Sequence, residues 1–235
     1  MRAQKKPAIL SVLISVIGMV LVISLIISCG KENNASPAGL NTRLNIINVS
    51  PDVFPVDFYI ALRKQNTTPY IYSSPSGYLY LNTLATPLQI RTLNNTTIFS
   101  RTIPLTTNCS YSVFITGLVG DKTDTAFLVT DTDAVPTKGR GKVRFINASA
   151  RPVNIDLYAN GTPAFQKQGF LSISKYVELP AGIYDFKLYN TGTTTILKDM
   201  TNITIQDGRL YTLYSYGIAG RTDSAAFNAN VITNR

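Results

Sequence analysis

Arg43-Leu-Asn-Ile-Ile-Asn-Val-Ser50, followed by Val56-Asp-Phe-Tyr59, returns later in the chain as Val143-Arg-Phe-Ile-Asn-Ala-Ser149, followed by Ile155-Asp-Leu-Tyr158. Asn48, Ser50, Asp57 and Tyr59 map onto Asn147, Ser149, Asp156 and Tyr158 at one constant spacing. Near the end of each copy, Tyr111-Ser-Val-Phe-Ile-Thr-Gly117 matches Tyr211-Thr-Leu-Tyr-Ser-Tyr-Gly217, and Thr123-Asp124 and Phe127 match Thr222-Asp223 and Phe227. Within each copy, apolar residues such as Leu44 and Ile46, or Val56, Phe58 and Ile60, alternate with polar ones, the period of a half-buried strand. Gly, Pro and Asn break these runs, and no sustained helical periodicity occurs after residue 30. The expected fold is all-β: two tandem immunoglobulin-like antiparallel β-sandwich domains, residues 43–135 and 142–235, joined by a linker over 136–141.

Ahead of the repeat, Arg2, Lys5 and Lys6 precede an uncharged apolar run over residues 8–28, the layout of a secretory signal. Its end, Ile26-Ile27-Ser28-Cys29, resembles the bacterial lipobox. A thiol can take a diacylglyceryl group as a thioether, and two or three acyl chains hold a protein stably on a membrane where one does not. Residues 1–28 are therefore expected as a lipoprotein signal peptide, Cys29 as the lipid attachment site, and residues 29–42 as a polar tether. The same run also fits an uncleaved anchor helix. Either way the repeats are expected outside the cytoplasm, in the cell envelope as an outer-membrane lipoprotein, periplasmic or surface-exposed. Lys31 and Glu32 are similar to the charged signal that sends some lipoproteins of the Bacteroidota to the cell surface.

Beyond residue 28 the chain has 207 residues. Three of the 22 basic residues and none of the 13 acids precede that point, so the remainder carries a net charge of +6. Its densest basic cluster, Lys138-Gly-Arg-Gly-Lys-Val-Arg144, lacks aromatic interleaving and reads as a flexible connector, so no nucleic-acid partner is expected. There are two cysteines and no histidine. With Cys29 lipidated, Cys109 is expected as a free thiol. The missing histidine removes Ser-His-Asp and Cys-His catalysis and histidine metal sites together.

The opening of each copy, an apolar strand into Asn-x-Ser, a short loop, then apolar-Asp-apolar-Tyr, resembles the domain of unknown function 4397. Copy one keeps Ser50-Pro51-Asp52, whereas copy two reads Ser149-Ala150-Arg151. The resemblance implies an extracytoplasmic, often lipid-anchored β-sandwich, and no activity.

Asp57 and Asp156 lie in different copies and are expected to satisfy loop amides rather than to form an acid–base pair. Asp131 and Asp133, at the junction, recommend calcium only weakly, because calcium wants six to eight oxygens. They read as a solvated strand end. Copy two has Val231 at the position matching Asp131. The best binding candidate is the hairpin Tyr70-Ile-Tyr72 to Tyr78-Leu-Tyr80, whose four phenols would line one surface for a protein or glycan ligand. The rings could equally pack on an outer sheet face or between the domains. No catalytic residue, metal site or cofactor is expected. The chain reads as a non-catalytic binding or adhesion module, the alternative being a structural envelope spacer.

Overall fold

In the computed structural model, residues 40–151 and 153–234 are described; the apolar run, Cys29 and most of the tether lie outside them. The described residues form strands and no helix. In the first repeat these are β1 (Arg43–Asn48), β2 (Val56–Ile60), β3 (Arg63–Lys64), β4 (Leu79–Tyr80), β5 (Leu88–Thr92), β6 (Thr97–Arg101), β7 (Ser110–Thr116) and β8 (Thr125–Thr130). The second repeat has β9 (Arg140–Asn147), β10 (Ile155–Ala159), β11 (Thr162–Gln168), β12 (Val177–Pro180), β13 (Gly182–Asn190), β14 (Ile196–Ile205), β15 (Leu210–Tyr216) and β16 (Asn228–Thr233).

Each repeat is a sandwich of two four-stranded sheets, β4-β1-β7-β8 over β3-β2-β5-β6 and β12-β9-β15-β16 over β11-β10-β13-β14. The tandem all-β architecture is as expected. One pair in each repeat is parallel rather than antiparallel, β1 with β7 and β9 with β15. The glycines that close the repeated Tyr-to-Gly segments follow from what comes next. Gly117 and Gly217 have φ of +77° and +76°, and a Cβ there would sit 2.0 Å from the Thr123 carbonyl oxygen or 2.3 Å from that of Ala226. Only glycine fits.

The two sandwiches are not separate beads. Leu44 and Ile46 of β1 and Tyr111, Val113 and Ile115 of β7 point into the first sandwich's own core. The residues between them point the other way, where Ile47 and Phe114 pack with Ile146 and Tyr214 of the second repeat in one buried cluster. The Phe114 and Tyr214 rings meet edge to face at 5.4 Å. β9 and β15 do the same in mirror fashion, Val143, Phe145, Tyr211 and Leu213 filling the second sandwich. The chain is thus a four-layer stack whose two inner sheets are buried on both faces. The polar partners in the alternation of β1, β7, β9 and β15 therefore face the other repeat, not water. Asn45, Ser112, Thr116, Arg144, Thr212 and Ser215 are all buried.

The connection between repeats differs from expectation accordingly. It runs over 131–139, since Arg140 and Gly141 already belong to β9. Asp131, expected at a solvated strand end, and Arg144, expected in a flexible connector, are both buried and ion-paired with each other. Asp133 pairs with Lys142 at 2.8 Å. Cys109 is buried at the edge of the first core. It is disulfide-bonded rather than a free thiol.

Candidate functional site at the junction of the repeats

Strand pairing shows which residues of the two repeats correspond. Leu79 pairs with Leu44, and Val177 with Val143, so Tyr78 corresponds to Tyr176. Tyr111 pairs with Thr130, and Tyr211 with Thr233, so Asp131 corresponds to Asn234. Val231 is displaced from that position because the β15–β16 loop is longer than its counterpart. The two copies then show one motif twice. In the first, Ser112 Oγ and Tyr78 Oη both donate to Asp131 Oδ2 at 2.6 Å. In the second, the Asn234 side-chain amide donates to Thr212 Oγ1 at 2.7 Å and to Tyr176 Oη at 2.6 Å.

Arg144 joins the two motifs. It pairs with Asp131 Oδ1, donates to Thr212 Oγ1 at 2.8 Å and to the Thr130 carbonyl at 2.7 Å, and lies 4.9 Å over the Tyr176 ring. Burial raises the Asp131 carboxyl above its usual range, while Arg144, Ser112 and Tyr78 pull it back. Burial, reinforced by the Asp131 charge, pushes the Tyr78 phenol well up. The charged groups and hydroxyls of this network are spent on other protein groups, and only the Asn234 side-chain oxygen is left without one among the described residues. The network is a seam between the repeats, and it commits Asp131 and Asp133 to Arg144 and Lys142 rather than to calcium.

The four tyrosines do not form the expected hairpin surface. β4 begins at Leu79 and pairs with β1, whereas Tyr70 makes an isolated bridge to Val56 on the other sheet. Tyr70 packs against the first core. Tyr78 is in the seam, and Tyr80 is exposed beside Arg43, whose guanidinium lies 5.9 Å from the ring centre. Tyr72 reaches the second repeat, its ring edge to face with Tyr216 at 6.1 Å. Of the outcomes open to these rings, packing between the domains holds for Tyr72 and Tyr78.

The repeated motif residues hold turns. The Asn48 and Asn147 side-chain oxygens accept from the Ser50 and Ser149 amides at 3.3 and 3.1 Å. Ser50 Oγ donates to the Gly117 carbonyl at 2.7 Å. Asp57 takes Lys64 at 2.7 Å and the Asn66 side-chain amide at 2.9 Å. Asp156 accepts from the Lys167 amide at 2.6 Å and from Thr191 Oγ1 at 2.8 Å. Both aspartates thus staple the second and third strands of their repeat, away from the Asn-x-Ser turn where the sequence suggests them. Tyr59 lies under the Arg91 guanidinium at 4.8 Å, and Tyr158 meets Tyr189 edge to face at 5.2 Å.

A cavity of about 390 Å³ opens where the loops after β1, β7, β9 and β15 meet. Leu118, Ala150 and Ile218 form a small buried cluster at this junction. The cavity wall brings together Asp52 and Asp121 from one repeat, Arg151, Arg221 and Asp223 from the other, and Tyr72. Arg151 Nε donates to Asp121 Oδ2 across the junction at 2.9 Å. Arg221 pairs with Asp223, which holds that carboxyl below its usual range. Asp52 accepts from the Val119 and Gly120 amides at 2.9 and 3.0 Å. Burial, with Tyr216 and Asp223 adding to it, pushes the Tyr72 phenol up to about 12. Among the described residues no group of three or more acids, histidines or cysteines is placed to hold a metal ion. Only Tyr72 in this cavity was a candidate by sequence. The others sit on loops without periodicity, and only the comparison of Asp52 with Arg151 between copies hinted that this loop varies.

The family described as "Domain of unknown function (DUF4397)" matches residues 42–156 and again 151–235. No curated protein matches the sequence.

Proposed function

The chain belongs to the family of the domain of unknown function DUF4397, which it carries in two copies, and we propose that it is a membrane-anchored envelope or surface lipoprotein that binds a ligand without chemistry. One observation carries this reading: the chain enters and leaves the described fold at one end, and the junction cavity lies at the other. Leu40 sits beside Asn108, just ahead of β7, and Asn234 bonds to Leu210 at the start of β15. The cavity lies past the far ends of β1 and β7, about 20 Å away along a six-residue strand. A protein tethered through Cys29 would hold this cavity away from the bilayer. Buried apolar contact between the repeats makes the stack one rigid support for it. A binding role also accords with the chemistry, because the sequence has no histidine and the Ser50 and Ser149 hydroxyls are committed to turns.

The test is protease accessibility on intact cells, with Cys29→Ser beside the wild type and mass analysis of the N-terminal peptide. Cys109 is disulfide-bonded and the sequence has only one other cysteine, so the same mass analysis decides between a thioether and a disulfide at Cys29. Acylated wild type digested on intact cells, and a variant released from the membrane, are the expected results. A Cys29 found in a disulfide and not acylated, or a variant that stays membrane-bound at full length, overturns the anchor. Protection until the outer membrane is breached favours the spacer role instead.

A further inference from the structure

Resting on the binding role proposed above, we infer that the junction cavity takes a neutral polyhydroxyl group, such as the terminal sugar of a glycan, through a hydroxyl that bridges Tyr72 and Asp223. The Tyr72 hydroxyl is buried, and no protein group among the described residues bonds to it. Buried hydroxyls normally find a partner. The fold does not require this one. Ser73 and Leu171 correspond, since their amides bond to the carbonyls of Asn48 and Asn147, so the second repeat has Phe170 where the first has Tyr72. The ring is structural and the hydroxyl is additional.

The Asp223 carboxylate lines the same cavity as the Tyr72 phenol, and no hydrogen bond joins them. Asp223 accepts from Arg221 and from the Ala225 amide, which leaves it accepting capacity. A group between the two that satisfies the phenol's proton as well as the carboxylate must accept from the first and donate to the second. A hydroxyl does both; a carboxylate or phosphate only accepts, and an ammonium only donates. The rest of the wall agrees. Its two guanidiniums and three carboxylates are held in pairs or by backbone amides, so donors and acceptors alternate with no large excess of either charge. Leu118, Ile218 and Ala225, all largely buried, form the apolar part of the cavity floor. The volume is at the small end of the range for ligand sites.

The experiment is NMR titration of the folded chain lacking residues 1–28 with free glucose, galactose, mannose, fucose and N-acetylglucosamine, beside sodium acetate and lysine as charged probes. Wild type, Tyr72→Phe, Asp223→Asn and the outside control Tyr80→Phe are compared, with thermal midpoints measured for each. Shifts at Tyr72, Ser224 and Ala225 with at least one sugar are expected. Tyr72→Phe should weaken that binding by about tenfold, the scale of one lost hydrogen bond in a buried site, without lowering the thermal midpoint. Tyr80→Phe should leave it unchanged. Sugar binding that Tyr72→Phe does not weaken, or shifts with acetate or lysine alone, overturns the hydroxyl assignment while keeping the cavity as a binding site. Shifts with no probe overturn both.

Discussion

Replacing Arg144 by methionine removes the cation of the seam and leaves the Asp131 carboxylate fully buried with two hydroxyl donors, Tyr78 and Ser112. Breaking a buried pair from one side costs about 3–5 kcal/mol, because the remaining charge has neither water nor partner. With a urea dependence of about 2.5 kcal/mol per molar, a loss of about 4 kcal/mol moves the unfolding midpoint down by about 1.5 M. The loss should depend on pH with a definite sign. The Asp131 carboxyl is raised in the folded state, chiefly by burial and against the pull of Arg144. The folded chain therefore holds a proton where the unfolded chain has lost it, and stability falls as pH rises through that window. Removing Arg144 lifts the window further, so the deficit of Arg144→Met should shrink on acidification from neutrality. Adding Asp131→Asn should recover most of the loss, since it gives the first repeat the neutral arrangement that Asn234 makes in the second. The assay is urea unfolding followed by tyrosine fluorescence. A loss under about 1 kcal/mol, or a double variant no more stable than Arg144→Met, would refute the view that Arg144 compensates a buried charge.

Gly117→Ala forces a Cβ against the Thr123 carbonyl at positive φ and should lower stability by more than about 2 kcal/mol in thermal or urea unfolding, well beyond the usual glycine effect. Thr116→Val leaves the Ala148 carbonyl without its 2.7 Å donor and should cost about 1–3 kcal/mol, with both repeats still unfolding in one transition. At alkaline pH, Tyr176 and Tyr72 hold their protons up to about 12 in the folded state. Unfolded phenols ionise near 10, so stability should fall as pH rises between those values. Ionisation of these two phenols should then accompany unfolding rather than precede it.

Most of the fold is legible in the sequence because strand alternation and duplication are local or self-referential signals. The Arg43–Ser50 and Val143–Ser149 segments resemble each other without any knowledge of what surrounds them. What is not legible is which second face is wet. Asn45, Arg144 and Thr212 are polar, so they read as solvent-facing. They are buried because the other repeat supplies their partners, and no pattern within one strand encodes that. Loop length hid the correspondence of Asp131 with Asn234, since three extra residues before β16 shift every match by spacing. The tyrosine cluster failed for a related reason. Residues 73–77 look like a hairpin turn, but the chain leaves the β2 sheet after Tyr70 and already runs beside β1 at Ser73 and Ser76, which separates Tyr70 from Tyr78 and Tyr80. The junction cavity draws on four loops far apart in sequence, so nothing short of the fold assembles it.

Duplication raises a specificity problem that the seam answers. Two similar inner faces could pair with copies of themselves from other chains as well as with each other. The corresponding residues Asn45 and Arg144 differ in charge, and so do Asn234 and Asp131. If the first repeat paired with another first repeat, each buried Asp131 would meet Asn45 in place of Arg144, leaving two carboxylates uncompensated. If the second paired with another second, two guanidiniums would face Asn234. Each mismatch costs several kcal/mol, which is specificity by repulsion rather than by added attraction. Asp121 and Arg151 repeat the device at the other end of the junction. It follows that residues 40–139 alone should not form a defined dimer, although their inner face is apolar around Ile47 and Phe114. Asn45→Arg in that fragment supplies the missing cation and should yield a dimer in sedimentation velocity. A wild-type fragment that already dimerises through this face, or an Asn45→Arg fragment that stays monomeric, would show that shape and not charge selects the partner.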